Sequence, residues 1–347
     1  MLDERRRYGY FACEMFPWSK HFHPSRGDMD MNPVKCIIPY IRSVLLVLML
    51  LGAGIGAVYP ADDSCQPMPG RADTRITDKS PVAYGEGLLW KIEGRGIKPG
   101  YLFGTIHLED PRVTRLPPVV QEVFSSATSF LAEVDMHPAA RAAYSERMRL
   151  PQGVSLQQYL ETSLYQRLVH ILDTEYALPE SVLETLKPWA VFILLSRPPP
   201  ETGRVLDDLL YAQAQQQGKS IHGLETVGEL VAALDGLSLD DQIEILVDTV
   251  CNRDQLAGQL EKLTKLYLNQ DVAGMLAINN QPHQNEALFE RLMERTLYER
   301  NRRMALRIRD RLGDEKVFIA VGALHLPGER GILRNLEAAG YQISRVF

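Results

Sequence analysis

An apolar run ending in Gly-x-x-His-Leu occurs twice in this chain, as FGTIHL at 103–108 and as VGALHL at 321–326. Short apolar runs rich in aromatic and β-branched residues read as strands. Ligands of α/β sheets collect beyond the carboxyl ends of such strands, where His107 and His325 would sit. A glycine three residues ahead of each histidine lets the backbone turn tightly or come close to a ligand. If both histidines serve one cleft, the two ends of the chain must meet in one sheet, and everything between becomes an insertion.

The flanking patterns agree with that constraint. GLLWKIEG and GYLFGTIHL, joined by RGIKPG, read as a hairpin-like pair of strands. LPPVVQEVFSSATSF sets Val119, Val120, Val123 and Phe124 at helical spacing behind prolines suited to a helix start. SFLAEVDMH (129–137) is a third strand. The stretch 138–312 is mostly helical, with Val205, Leu206, Leu209, Leu210 and Ala212 on one apolar stripe and KSIHGLE (219–225) as a strand among helices. The tail reads strand, loop, helix, strand, its helix carrying Ile332, Leu333, Leu336 and Ala339 on one side. The expected fold class is therefore α/β (α+β), a mixed central sheet formed by the two ends of the chain with a large helical insertion. The repeated order of strand, Gly-x-x-His, loop and helix looks like an internal two-fold repeat.

Composition limits the function classes. The 347 residues are 45% apolar and 24% charged, with a net charge of −6, which is globular and argues against nucleic acid as a partner. SVLLVLMLLGAGIGAVYP (43–60) follows Lys35 and Arg42 and precedes ADDSC, the layout of a secretory signal or a retained anchor. The expected organisation is an extension at 1–36 (Met29 or Met31 giving a more usual start), a signal or anchor at 37–60, a linker at 61–86 and a catalytic domain at 87–347. The bulk of the chain would be exported, periplasmic or facing outward from the inner membrane. Cys65 and Cys251 are then the two cysteines able to pair in an oxidising compartment, Cys13 and Cys36 falling ahead of the exported part.

Two imidazoles with a carboxylate suit an open metal site, although structural histidines are the competing reading. Glu133 lies in the strand FLAEVDM, where a charge among apolar neighbours needs a partner or a cation. Asp135 is two residues on, on the same strand face. Glu225 follows IHGL and either caps the next helix or joins the site. Arg300 and Asn301 sit inside a helical pattern, where asparagine is a mild anomaly. His-Glu-x-x-His, Gly-x-Ser-x-Gly, phosphate-loop and dinucleotide motifs are absent.

Taken in order, YLFGTIHL, FLAEVDM, LDDLLYAQAQQQGKSIHGLETVGEL, ERNRRMALRI and VFIAVGALHLPGERGILRNLEAAGY resemble the TraB/PrgY/GumN family, which includes the TIKI membrane proteases. The resemblance covers about residues 85–347. It implies a fold akin to the erythromycin-esterase and ChaN-like proteins and a site made of His107, His325, Glu133, Arg300 and Asn301. It also implies metal-dependent hydrolysis of a peptide or protein substrate. His107, His325 and Glu133 would be metal ligands, Glu133 alternatively a base, and Arg300 or Asn301 would steady an oxyanion. Glu225 and Asp135 would support them. Manganese, cobalt and zinc all suit that donor set. Two other classes stay open on the same cleft: a peptide- or signal-sequestering protein that does not cleave, and a haem- or iron-binding protein.

Overall fold

The computed structural model describes Cys65 and residues 81–200, 204–280, 283 and 285–347. The apolar run 43–60 and Cys13 and Cys36 lie outside these residues. Strands β1 (Leu89–Glu93) and β2 (Gly100–Thr105) form the expected hairpin, Leu89 opposite Phe103. Helix α1 (Pro118–Ser126) starts on prolines whose missing N–H costs nothing there, and strand β3 (Ser129–Val134) follows. The insertion contains α2 (Pro138–Arg147), α3 (Pro188–Leu195), α4 (Leu206–Gln216), strand β4 (Ser220–Glu225), α5 (Val227–Asp235) and α6 (Leu239–Cys251), with further helices between. The chain then closes with α7 (Glu299–Arg311), β5 (Val317–Gly322), α8 (Ile332–Ala338) and β6 (Gln342–Arg345).

The strands form one six-stranded sheet in the order β4-β3-β5-β2-β1-β6. β2, β3, β4 and β5 are mutually parallel, and β1 runs against both of its neighbours, which makes β6 parallel to the rest. The mixed sheet of the sequence reading is thus observed. The middle of the chain also supplies an edge strand, β4, so the insertion does more than cover the sheet.

β5 lies at the centre and reads Val-Phe-Ile-Ala-Val because both its faces are covered. Phe318 and Ala320 join Phe103, Phe124 and Phe130 on one face, with Phe124 edge-on to Phe318 at 5.1 Å between ring centroids. Val317, Ile319 and Val321 join Met304, Ile308, Ile332, Leu333 and Leu336 of α7 and α8 on the other. α3 is buried on every side, as its unbroken apolar sequence requires. On α4 the buried line is Leu206, Leu210 and Ala214, each one turn-and-a-bit apart, while Ala212 of the expected stripe faces solvent.

Cys65 and Cys251 form a disulfide that ties the stretch ahead of β1 to the end of α6. Among the described residues no helix is long and apolar enough to cross a membrane.

Candidate functional site

The two Gly-x-x-His segments leave neighbouring parallel strands, β2 and β5, at the same sheet edge. They are one step out of register: Gly104 stands opposite Val321, and Thr105 opposite Gly322. A Cβ on Gly104 would meet Leu326 Cδ1 at 2.7 Å and Ala323 Cα at 3.1 Å. The first glycine therefore makes room for the turn of the second motif (Ala323–His325) rather than for a ligand. Buried Tyr267 fixes the same point by donating from its hydroxyl to the Gly104 carbonyl at 2.9 Å.

Glu133 reaches the cluster from the penultimate position of β3, and Glu225 from the end of β4. Buried Arg300 links them: Nη2 donates to Glu133 Oε2 at 2.6 Å, Nε to Glu225 Oε2 at 2.7 Å, and Nη1 to the Thr296 carbonyl at 3.2 Å. Arg303 donates to the other oxygen of Glu225. The Gly322 N–H donates to Glu133 Oε1 at 2.6 Å. Burial raises the Glu133 carboxyl above its ordinary value, with the Arg300 charge opposing it, and both its oxygens accept hydrogen bonds. Burial disfavours the charge on Arg300, and Glu225 and Glu133 more than restore it. A π-helical turn, Glu294–Tyr298, leads into α7 immediately before Arg300 and Asn301. Such turns shift the register of the following side chains and recur at functional sites.

Each histidine is held through Nδ1. His325 Nδ1 lies 2.5 Å from Asn301 Oδ1, while Asn301 Nδ2 donates to the Arg330 carbonyl at 2.8 Å. The Arg330 contact fixes which end of the amide faces the ring, so Nδ1 carries the hydrogen and Nε2 the lone pair. His325 Nε2 points toward Glu133, 3.7 Å from Oε2. His107 Nδ1 lies 2.5 Å from Asp207 Oδ2 as an ion-pair contact without hydrogen-bond alignment, and both ring nitrogens of His107 are buried. Asp207 was not singled out from sequence. Its signal was an acidic pair at the start of α4, Asp207-Asp208, which reads equally well as helix-end charge complementing the dipole.

The two imidazoles differ electrically. Burial opposes a charge on His107, but Asp207 and Glu133 raise it above the ordinary imidazole value. Burial, Arg300 and His107 hold His325 well below that value. Among the described residues no group of three or more His, Cys, Asp and Glu side chains converges as a metal centre. The donor chemistry nevertheless fits a divalent cation. His107 offers a buried Nε2, and each ring faces an oxygen at Nδ1, Asn301 Oδ1 by a hydrogen bond to His325 and Asp207 Oδ2 by an ion-pair contact to His107. Glu133, beside His325, is engaged by Arg300.

The structure brings together His107, His325, Glu133, Glu225, Arg300 and Asn301. Asp135, just past the end of β3 at Val134, accepts from the Tyr211 hydroxyl at 2.7 Å and lines the cleft that Glu225 also lines. Beside the cluster opens a cleft of about 920 Å³ at the carboxyl ends of β3 and β4. Of the cluster only Glu225 lines it, with Asp135, Gly223, Arg147, Arg307 and Ala143 of α2.

Comparison with known proteins follows the same outline. The profile of the TraB/PrgY/gumN family matches residues 88–345. The chain is 27% identical to Metalloprotease TIKI2 of Danio rerio, over 78% of this chain and 63% of that protein. It is 26% identical to Metalloprotease TIKI2 of Xenopus tropicalis, over 74% and 59% of the two chains. To Metalloprotease TIKI1 of Homo sapiens it is 24% identical, over 86% and 67%. The chain thus spans about 60% of the length of these relatives. No solved structure matches it.

Proposed function

The chain belongs to the TraB/PrgY/gumN family, and on that premise we propose that it is an exported, metal-dependent hydrolase of peptide bonds. The observation that carries the reading is the pair of buried imidazoles, each with an oxygen within 2.5 Å of Nδ1, which directs Nε2 toward a ligand. The metalloprotease names of the relatives support the reaction class. The Cys65–Cys251 disulfide and the apolar run at 43–60 support export.

His107 and His325 would hold the cation through Nε2, with Glu133 as third ligand or as the base that takes a proton at Oε2. The cation would supply Lewis-acid charge against the scissile carbonyl and the attacking water. Arg300 fixes the direction of Glu133 and Glu225, three of its five N–H groups donating to them and to the Thr296 carbonyl. Asn301 holds the His325 ring. Both hold their neighbours in place, Arg300 the two carboxylates and Asn301 the ring of His325, and either would steady the oxyanion. The cleft beside Glu225 has room for several residues of an extended peptide.

Metal content by plasma mass spectrometry tests this directly, on protein purified without chelator or affinity metal and on His107→Ala and His325→Ala. Near-stoichiometric manganese, cobalt or zinc in the parent, lost in both variants, is expected, followed by cleavage of an unbiased peptide mixture. A parent that takes up none of the three after addition of each would end the proposal.

A further inference from the structure

We propose that Asp207, itself held by Thr105, is the positioning residue that sets the tautomer and direction of His107. Thr105 and His107 lie two residues apart at the end of β2, and a single carboxylate addresses both. Asp207 Oδ1 accepts from the Thr105 hydroxyl at 2.7 Å, and Oδ2 lies 2.5 Å from His107 Nδ1. A carboxylate carries no hydrogen of its own, so atoms this close coexist only with the hydrogen on Nδ1. In the neutral ring that leaves the lone pair on Nε2; Nδ1, Nε2 and Asp207 Oδ2 are all buried, and the Nδ1–Oδ2 approach is an ion-pair contact rather than an aligned hydrogen bond.

Thr105 does not merely fill space. It is 1% exposed, and its hydroxyl would be an unpaired buried donor without Asp207. Its bond stops the carboxylate from rotating about χ2. Asp207 sits in the first turn of α4, where the helix dipole favours its negative charge, so the holder of the ring is itself on a rigid element. The arrangement crosses the insertion: β2 supplies Thr105 and His107, and α4, about 100 residues later, supplies the carboxylate.

The two rings are treated differently. His325 is held by a neutral amide and His107 by a charged carboxylate. The carboxylate raises the electron density at His107 Nε2, making it the stronger donor of the pair. Asp207 therefore contributes to ligand strength as well as to ring orientation.

This role takes its purpose from the metal-binding reading above, but the tautomer can be read with no metal present. The test uses the full chain labelled with nitrogen-15 at histidine, in long-range proton–nitrogen spectra recorded at a pH where His107 is neutral. The parent is expected to show the Nδ1–H tautomer for His107, assigned by its loss in His107→Gln. Asp207→Ala should shift His107 to a tautomer mixture or to Nε2–H. Thr105→Val, which keeps the shape and removes the hydroxyl, should shift it partly, and Thr105→Ser should restore the parent spectrum. His325 should keep its Nδ1–H signal in all four, which separates a local effect from misfolding. Titration with Mn²⁺, Co²⁺ and Zn²⁺ by calorimetry should then show affinity falling about 10- to 100-fold in Asp207→Ala and less in Thr105→Val. An Nε2–H tautomer in the parent, or an unchanged His107 tautomer in Asp207→Ala, overturns the proposal. A parent with the expected tautomer that binds none of the three metals overturns the metal reading instead and leaves the positioning role standing.

Discussion

Arg300 and Glu133 form an ion pair of 2.6 Å in which each side chain is more than nine-tenths buried. The same guanidinium holds Glu225, whose side chain is fully buried. Removing one member of a buried ionic group leaves the others uncompensated in a medium that solvates them poorly.

Arg300→Met should therefore lower the unfolding free energy by about 3–5 kcal/mol in urea denaturation. Arg300→Lys should recover only part of it, since a single ammonium cannot make the forked contact with two carboxylates. Arg303→Met removes a more exposed partner of Glu225 and should cost about 1 kcal/mol or less. Equal losses for Arg300 and Arg303 would mean that burial does not set the energetics of this cluster.

Asn301→Leu is close in volume but presents no acceptor to His325 Nδ1. Metal affinity should fall about 10- to 100-fold, with the ring of His325 free to change tautomer. Calorimetric titration with the metal found in the parent measures it. Parent-like affinity would show that His325 does not depend on the amide.

The disulfide between Cys65 and Cys251 closes a loop across a sequence separation of 186. Constraining so long a loop in the unfolded chain should be worth about 2–4 kcal/mol. Thermal melts of Cys65→Ser, or of the parent under a thiol reductant, should show lower midpoints. The metal stoichiometry should be unchanged. Loss of metal on reduction would place the tether in the site's architecture.

Acid should weaken the link between α5 and α7. Hydrogen bonds from Arg307, against the opposing effect of partial burial, lower the Glu229 carboxyl from its ordinary value to about 2. A carboxylate with a depressed folded-state pKa contributes stability that is present above the unfolded value, near 4.5, and lost as pH falls toward 2. Glu229→Gln keeps a residue able to close the capping box with Thr226 and removes only the charge. The parent should exceed the variant in stability at pH 7, with the difference fading between about pH 4.5 and pH 2. A pH-independent difference would assign Glu229 to capping alone.

Much of the fold was legible because it rests on local pattern. The period-two and continuous apolar runs marked all six strands, and the 3.6-residue period marked the long helices, within the usual uncertainty at element ends. The duplicated Gly-x-x-His pointed to two strands whose carboxyl ends meet, and β2 and β5 are indeed neighbours. The reason for the first glycine was not legible. Its tight contact is with Ala323 and Leu326, residues more than 200 positions away. Glu133 could be suspected from the cost of a charge in an apolar strand, while Asp135 looked equivalent by alternation. The structure gives them different partners, Glu133 the Arg300 guanidinium and Asp135, past the end of β3 at Val134, the Tyr211 hydroxyl.

By itself, the sequence determined the element order, the family and the set of ionisable groups that had to find partners, because burial of apolar stripes and the cost of an unpaired charge act on any chain with this pattern. Tertiary structure alone decided the pairings. Arg300 went to two carboxylates from two strands, Asn301 to one imidazole and Asp207 to the other. Hydrogen bonds are directional and reach about 3 Å, so which acceptor meets which donor depends on where distant backbones are brought, and no local periodicity encodes that distance.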